Sequence, residues 1–461
     1  MALKVFPRIL GWAQGSPVEK PKQGLYHYTY AKDIEKSRIH LRIEQDGSGV
    51  VMINADRILH VNPTAMWITK LHLEQHSAQE ICVMLSAAFG IKKREVQQDV
   101  QDVIHKIDEM IRPDGACPIH ELLLDTNAPF TAKLSAPYRM DLAITYRCNN
   151  DCHHCYNARA RSYPELDTPQ WKIILDTIWD LGIPHVVFTG GEPTFRNDLP
   201  ELVAYAEQKG LVTGLNTNGR RLADRTFVSS LVDAGLDHVQ VTLESHIPEI
   251  HDQMVNSRGA WQQTVNGIRE VLKQRVYLMT NTTMLKTNYR SMAETLDFLA
   301  ELGVPTIGLN SLIYSGKGKD SQAGLRESQL PAILNMAKEK TAVNGQRLIW
   351  YTPTEYCHFD PVNENLGVKG CTAAYYNMCI EPDGSVIPCQ SYYSSLGNIL
   401  SNSWSEIWDH PLAIDLRERR NVPQRCQGCS LLVECGGGCP LHQSDNQEIH
   451  WQDTFSIPAA S

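Results

Sequence analysis

Cys148-Asn149-Asn150-Asp151-Cys152-His153-His154-Cys155 is the stretch whose reading decides the fold. It follows Met140 to Thr145, an apolar run of about strand length, so three thiols sit on a loop where a buried strand ends. Three thiolates can hold three irons of a [4Fe-4S] cluster, and so tight a loop has no room for a fourth ligand from its own backbone. One iron is then left open to a chelating ligand. Zinc is the competing reading of any Cys and His cluster, although zinc sites usually come as two pairs with a long gap between them.

The Cys-x3-Cys-x2-Cys spacing, with His154 in the aromatic position before the third cysteine and Tyr156 after it, resembles the radical S-adenosylmethionine (radical SAM) superfamily. A second stretch agrees. His185 to Thr189 is another apolar strand run, and it ends in Gly190-Gly191-Glu192-Pro193. Glycines there let backbone approach a ligand closely, and a carboxylate can receive an ammonium group. Taken alone this is an ordinary strand-to-helix turn, but the resemblance implies that it holds the amino group of the SAM methionine.

At 461 residues the chain is long enough for two or three domains. Apolar residues at 42% and charged residues at 21% describe a globular protein. No apolar run is long enough to span a bilayer, and Met1 to Trp12 lacks the core of an export signal, so a cytoplasmic protein is expected. A net charge of -9 without a Lys or Arg block argues against nucleic acid and for small molecules or a peptide as partners. Thirteen cysteines without an export signal point to metal or redox chemistry before disulfides. Cys82, on an apolar helical face, reads as core.

Residues 1–37, punctuated by Pro and Gly between Gly15 and Gly24, read as an arm. His40 to Glu44, Val50 to Asn54 and Arg57 to Val61 read as three short strands. Asn62-Pro63 then starts a helix, Ser77-Ala-Gln-Glu80 caps a second, and Val96, Val100, Val103, Ile107 and Ile111 mark a third from about Lys93. This block, 38–112, resembles the winged-helix PqqD chaperone of pyrroloquinoline quinone biosynthesis. That resemblance implies recognition of a precursor peptide, whose leader adds as a strand to the sheet edge. A structural or oligomerising domain is the other reading of the same block. Residues 113–137 read as a linker.

From Tyr138, strand runs alternate with amphipathic helices to about residue 315. Six βα units imply parallel strands with helices outside, and the fold expected is α/β: a partial (β/α)6 TIM-like barrel with its site at the carboxyl ends of the strands. Asn218, Thr242, Glu244 and Thr283 fall at those ends. On the resemblance they contact SAM, although each could equally be a helix cap. The Arg that often binds the SAM carboxylate in relatives is not matched: Val255 stands there, and Arg258 is a weak substitute. Residues 316–356 read as a bridging segment, and Gly316-Lys-Gly318-Lys319 lacks the length and context of a phosphate loop.

Eight cysteines follow residue 356. A hairpin around Pro382-Asp-Gly384 would bring Cys371 near Cys389, and Cys426-x2-Cys429-x5-Cys435-Gly-Gly-Gly-Cys439 follows. Residues 357–461 resemble the SPASM extension of radical SAM enzymes, which carries auxiliary iron-sulfur clusters. The resemblance implies Cys371, Cys389 and Cys439 on a first auxiliary cluster, with Cys357 as fourth ligand, and Cys426, Cys429 and Cys435 on a second. The expected last cysteine is missing, leaving Cys379, His442 or Asp445 as substitutes, an open iron, no second cluster at all, or a structural zinc at the last four cysteines.

The resemblances imply an enzyme in which an electron from a donor such as flavodoxin or ferredoxin cleaves SAM to methionine and a 5'-deoxyadenosyl radical that takes a hydrogen atom from substrate. They imply the crosslinking or other oxidative maturation of a ribosomally made precursor peptide. Two other functions are open: an oxidase or decarboxylase acting on a protein side chain or a tetrapyrrole, and a non-catalytic peptide chaperone or cluster carrier.

Overall fold

The computed structural model describes residues 19–32, 35–54, 57–111, 123–124, 130 and 133–443. β1 (Gly24–Lys32), β2 (Glu35–Ile43), β3 (Gly49–Ile53) and β4 (Arg57–Val61) form an antiparallel sheet in chain order. Helices α1 (Pro63–Leu73), α2 (Ala78–Phe89) and α3 (Lys93–Ile111) cover one face, and β5 (Leu123–Leu124) adds in parallel beside β4. The caps read from sequence are made: Asn62 accepts from the Ala65 N–H at 2.9 Å, and Ser77 and Glu80 close a reciprocal capping box.

Within the arm assigned to residues 1–37, Gly24–Lys32 is strand β1, which pairs with β2 from end to end, while residues 1–18 lie outside the described residues. Tyr26 and Tyr28 pack on the small domain's core, a period of two that the preceding Pro and Gly residues obscured.

β2 is the hinge between two cores. Ile39, Leu41 and Ile43 point into the small domain. Arg38, His40 and Arg42 alternate with them and reach the barrel instead. Arg38 pairs with Glu207 and, at 3.0 Å, with Asp237; His40 Nε2 meets the Gly210 carbonyl at 2.8 Å; Arg42 pairs with Glu44 at 2.8 Å and donates to the carbonyls of Pro137 and Gly182.

The barrel begins with β6 (Arg139–Thr145) and runs α4 (Thr168–Asp180), β7 (His185–Gly190), α5 (Leu199–Lys209), β8 (Val212–Thr217), α6 (Arg225–Asp233), β9 (His238–Thr242), α7 (Pro248–Val255), α8 (Ala260–Val271), β10 (Tyr277–Thr283), α9 (Met292–Glu301) and β11 (Thr306–Asn310). All six strands are parallel and hydrogen-bonded in chain order, the partial barrel expected. The sequence reading stopped the barrel at residue 315. In the structure the alternation continues through α10 (Lys317–Asp320), α11 (Leu330–Val343) and β12 (Arg347–Trp350), which pairs in parallel with β11.

At the opposite edge, β13 (Asn377–Ile380) pairs in parallel with β6, and β14 (Ser385–Ile387) and β15 (Gly397–Asn398) follow in antiparallel order. The expected hairpin therefore extends the barrel sheet beside the strand that leads into the cysteine loop. Among the described residues no helix is long and apolar enough to cross a membrane.

Candidate active site at the barrel mouth

The loop after β6 is fastened from several directions. Asp151 and His153 donate backbone N–H groups to the carbonyls of Val255 and Met254 at the end of α7, at 3.0 and 3.1 Å. Arg220 Nη1 donates to the Asn149 carbonyl and to Asn150 Oδ1, both at 2.7 Å, and the Arg161 guanidinium meets the Cys148 and Asn150 carbonyls. The Gly318 N–H reaches the Cys155 carbonyl at 3.3 Å, so the Gly316 segment, which is no phosphate loop, closes over the cysteine loop. Gly316 must be glycine: its φ is +53°, and a Cβ would stand 2.7 Å from the Cys155 carbonyl oxygen.

Cys148, Cys152 and Cys155 all line one cavity of about 840 Å³. Burial pushes the Cys148 thiol up to about 11, and burial together with the neighbouring Cys155 holds Cys152 well above the ordinary thiol range. None of the three is in a disulfide. Three such thiols can ionise together only beside a strong local positive charge, and a metal cluster supplies it. The donor set fits a [4Fe-4S] cluster held by Cys148, Cys152 and Cys155.

Gly190 and Gly191 line the same cavity, but their first task is packing. A Cβ on Gly190 would lie 2.1 Å from the Thr145 carbonyl oxygen, and one on Gly191 would lie 2.5 Å from those of Tyr146 and Arg147. The turn seats directly on the end of β6, with N–H bonds from Gly191 to Thr145 and from Glu192 to Arg147, both at 2.8 Å. Glu192 departs from its expected role. Its carboxylate is buried and accepts from the Thr194 N–H and hydroxyl, from the Thr217 hydroxyl and, at 2.7 Å, from the Asn218 N–H. With its oxygens turned to protein donors it braces the Asn218 turn, and Pro193 is buried beside it.

Asn218, Thr242, Glu244 and Thr283 all reach the cavity, so the strand ends bring together the positions read from sequence. Glu244 is the most constrained: Oε1 meets His154 Nε2 at 2.9 Å, and Oε2 accepts the Thr283 N–H at 2.9 Å. The His in the aromatic position is thus oriented by a carboxylate from β9's end. Asn218 Nδ2 donates to Asn149 Oδ1 at 2.6 Å, tying the third strand to the cysteine loop.

Along the same strand ends, Asn281 Oδ1, Asn310 Oδ1 and Ser311 Oγ are buried without a hydrogen-bond partner among the described residues. Such a row fits a polar ligand such as a nucleoside. Val255 does line the cavity where a cation was expected, and its role there is to receive Asp151 through its carbonyl; Arg258 is not part of the lining.

Sequence reading missed Arg220, Arg161, Asn310 and Ser311, and noted Asn281 in the fifth strand without giving it a site role. The last three lie at the ends of parallel strands or just after them, which was the available signal. The two arginines act across long sequence separations and left none.

The C-terminal thiols sort into two groups, with one change from expectation. The Ala374 N–H donates to the Pro388 carbonyl at 2.8 Å, which sets Cys371 beside Cys389, and both line the cavity together with Cys439. Cys357 is absent from that wall. Its neighbour Tyr356 donates its N–H to Cys435 Sγ at 3.3 Å. Of the substitutes for the missing ligand, Cys379 is buried among Ala143, Tyr146 and Ile387. His442 stacks on Tyr314 at 4.5 Å and faces Glu327, and Asp445 lies outside the described residues.

Residues 142–307 match the model of the Radical SAM superfamily, 371–430 that of the SPASM iron-sulfur cluster-binding domain, and 49–109 that of coenzyme PQQ synthesis protein D (PqqD). Fe-coproporphyrin III synthase of Methanosarcina barkeri is 30% identical over 325 residues, covering 64% of this chain and 81% of that protein. The PqqA peptide cyclase of Rhizobium meliloti is 27% identical over 319 residues, covering 67% and 83%.

The fold resembles Streptococcus suis SuiB bound to precursor peptide SuiA, with a TM-score of 0.67 at 16% identity over 89% of this chain and 96% of that one. It also resembles anSMEcpe with bound AdoMet, with a TM-score of 0.55 at 19% identity over 68% and 92%. The cysteine loop lies within the Radical SAM match, and the chain belongs to the radical SAM superfamily, which uses SAM and a [4Fe-4S] cluster, with a SPASM domain for auxiliary iron-sulfur clusters.

Proposed function

We propose that this enzyme uses SAM to modify oxidatively, by crosslinking or a similar maturation, a ribosomally synthesised precursor peptide whose leader is held by the N-terminal domain, with flavodoxin or ferredoxin as electron donor in the cytoplasm. The observation that carries this reading is the PqqD-like domain locked onto the barrel through the polar face of β2. A sheet domain fixed to a catalytic barrel can hold an extended peptide by backbone hydrogen bonds and hand the following residues to the mouth.

Two further observations support it. Relatives include proteins named PqqA peptide cyclase, and the SuiB fold was solved with a precursor peptide. The cavity, about 840 Å³ and walled by both the cysteine loop and the first auxiliary thiols, has room for a nucleoside cofactor and a substrate side chain together. Glu192, Asn218, Thr242, Glu244 and Thr283 would position SAM, Glu192 by holding the Asn218 turn. Cys371, Cys389 and Cys439 would set an auxiliary cluster where it can accept the electron that an oxidative modification releases.

A second reading has its own support in the Methanosarcina barkeri relative, whose name describes a tetrapyrrole product. The test incubates reduced, cluster-loaded protein with SAM and a precursor peptide encoded beside it, and follows product mass. Loss of hydrogens from the peptide, with inhibition by added leader alone, is the expected result. An unmodified peptide together with turnover of a tetrapyrrole would replace this reading with the second.

A further inference from the structure

We infer that Cys357 is the fourth ligand of the second auxiliary cluster, completing the set Cys357, Cys426, Cys429 and Cys435. This takes the place of the ligand that the tail lacks and leaves Cys371, Cys389 and Cys439 as a three-thiol set on the cavity. The inference rests on the iron-sulfur reading of the SPASM domain and is independent of the substrate.

Four contacts carry the assignment. The segment before Cys357 lies along the loop that bears the other three thiols: the Tyr356 N–H donates to Cys435 Sγ at 3.3 Å, and Cys435 Sγ approaches the Thr354 carbonyl at 3.6 Å. Arg425, next to Cys426, grips both Glu355 carboxylate oxygens at 2.6 Å. A Cβ on Gly438 would stand 3.1 Å from the Glu355 side chain, so the triple-glycine turn is what lets the two segments close on each other.

The two sets differ in setting. Cys357 and Cys429 are exposed, while Cys371, Cys389 and Cys439 line the cavity.

A [4Fe-4S] cluster takes one thiolate per iron, so four cysteines close it and three leave a corner open. Glu355, Cys357 and His358 hold donor atoms within 4.8 Å of one another, an arrangement that would also suit a single metal ion. The Arg425 grip commits Glu355 to an ion pair, and Cys357 Sγ lies 3.9 Å from the same carboxylate, on the segment that Tyr356 ties to Cys435.

The test uses the full chain carrying Cys148→Ala, Cys152→Ala and Cys155→Ala, so that only auxiliary clusters are counted, and reads iron, acid-labile sulfide and the EPR spectrum of the reduced protein. Cys357→Ala and Cys435→Ala should each remove about four irons, or leave a three-iron cluster with its own signal, and the double variant should lose no more than either alone. Cys357→Ala with Cys371→Ala should lose both clusters. Circular dichroism of each variant separates ligand loss from misfolding, and Cys357, being exposed, is removable without opening the core. Unchanged iron and EPR in Cys357→Ala, losses that overlap with Cys371→Ala, or one stoichiometric zinc at this set would each overturn the inference.

Discussion

The barrel mouth and the seam beneath the small domain both bury polar groups, but on opposite terms. At the seam each charged group meets a protein partner, Arg38 with Glu207 and Asp237 and Arg42 with Glu44, and His60 Nε2 meets the Tyr138 hydroxyl at 2.9 Å, although Arg42 Nη2 and His40 Nδ1 have no hydrogen-bond partner among the described residues. At the mouth three thiols are crowded together, and Asn281, Asn310 and Ser311 keep polar atoms without protein partners among the described residues. Buried polar atoms are costly when unsatisfied, so the first surface is built to hold two domains together and the second to receive a ligand. Substitutions at the seam should therefore act on stability, and those at the mouth on function.

The largest contrast is expected from Cys152→Ala. It should bring SAM cleavage to background and remove the first cluster while leaving the fold intact, as read by product analysis, iron content and circular dichroism. A large loss of stability in this variant would break the comparison.

At the seam, Arg42→Ala strands the buried Glu44 carboxylate, which also accepts from the Ser135 hydroxyl at 2.6 Å. A cost of about 3–5 kcal/mol is expected, visible as faster hydrogen exchange in β2 and β6. Exchange confined to β2 would place the loss in the small domain alone.

Acid should act at the seam as well. Burial depresses His40 to about 3 and His60 to about 4, below the ordinary imidazole value of 6.5. The unfolded chain then binds more protons between pH 6.5 and pH 4, so this stability is fully present above pH 6.5 and is lost as pH falls. Each histidine contributes up to about 1.4 kcal/mol per pH unit. Denaturation midpoints measured from pH 8 to pH 5 should fall, and His40→Gln should flatten the slope; an unchanged slope would remove His40 from the account.

At the mouth, Glu244→Gln keeps the volume but weakens the bonds to His154 and Thr283. A change of about 1–2 kcal/mol, or roughly tenfold in SAM affinity by calorimetry, is expected. The smallest effect is that of Ser311→Ala: stability within about 0.5 kcal/mol of the parent, with SAM affinity a few-fold lower.

What could be read from the chain alone follows the range of the interactions involved. The cysteine loop packs its three ligands into eight consecutive residues, so its spacing carries the chemistry whatever the surroundings. The first two barrel strands, read at Met140 to Thr145 and His185 to Thr189, and the helical caps at Asn62 and Ser77 are likewise local patterns, and the strands fall within one residue of the positions read. The inward turn of Glu192 and the company kept by Cys357 depend on partners dozens of residues away, and no local period encodes them. β1 was legible in principle, through alternating tyrosines, but the linker-like residues before it masked the pattern. Helix α7 was missed although Pro248 opens it, because its eight residues are too few for the helical period to stand out.

The central claim is that Cys148, Cys152 and Cys155 hold a cluster with an iron open to SAM. Its most direct test is the release of 5'-deoxyadenosine by anaerobically reconstituted, chemically reduced protein given SAM. Release that follows iron content is the result this account predicts. Protein that binds zinc at this loop and releases no deoxyadenosine would contradict it.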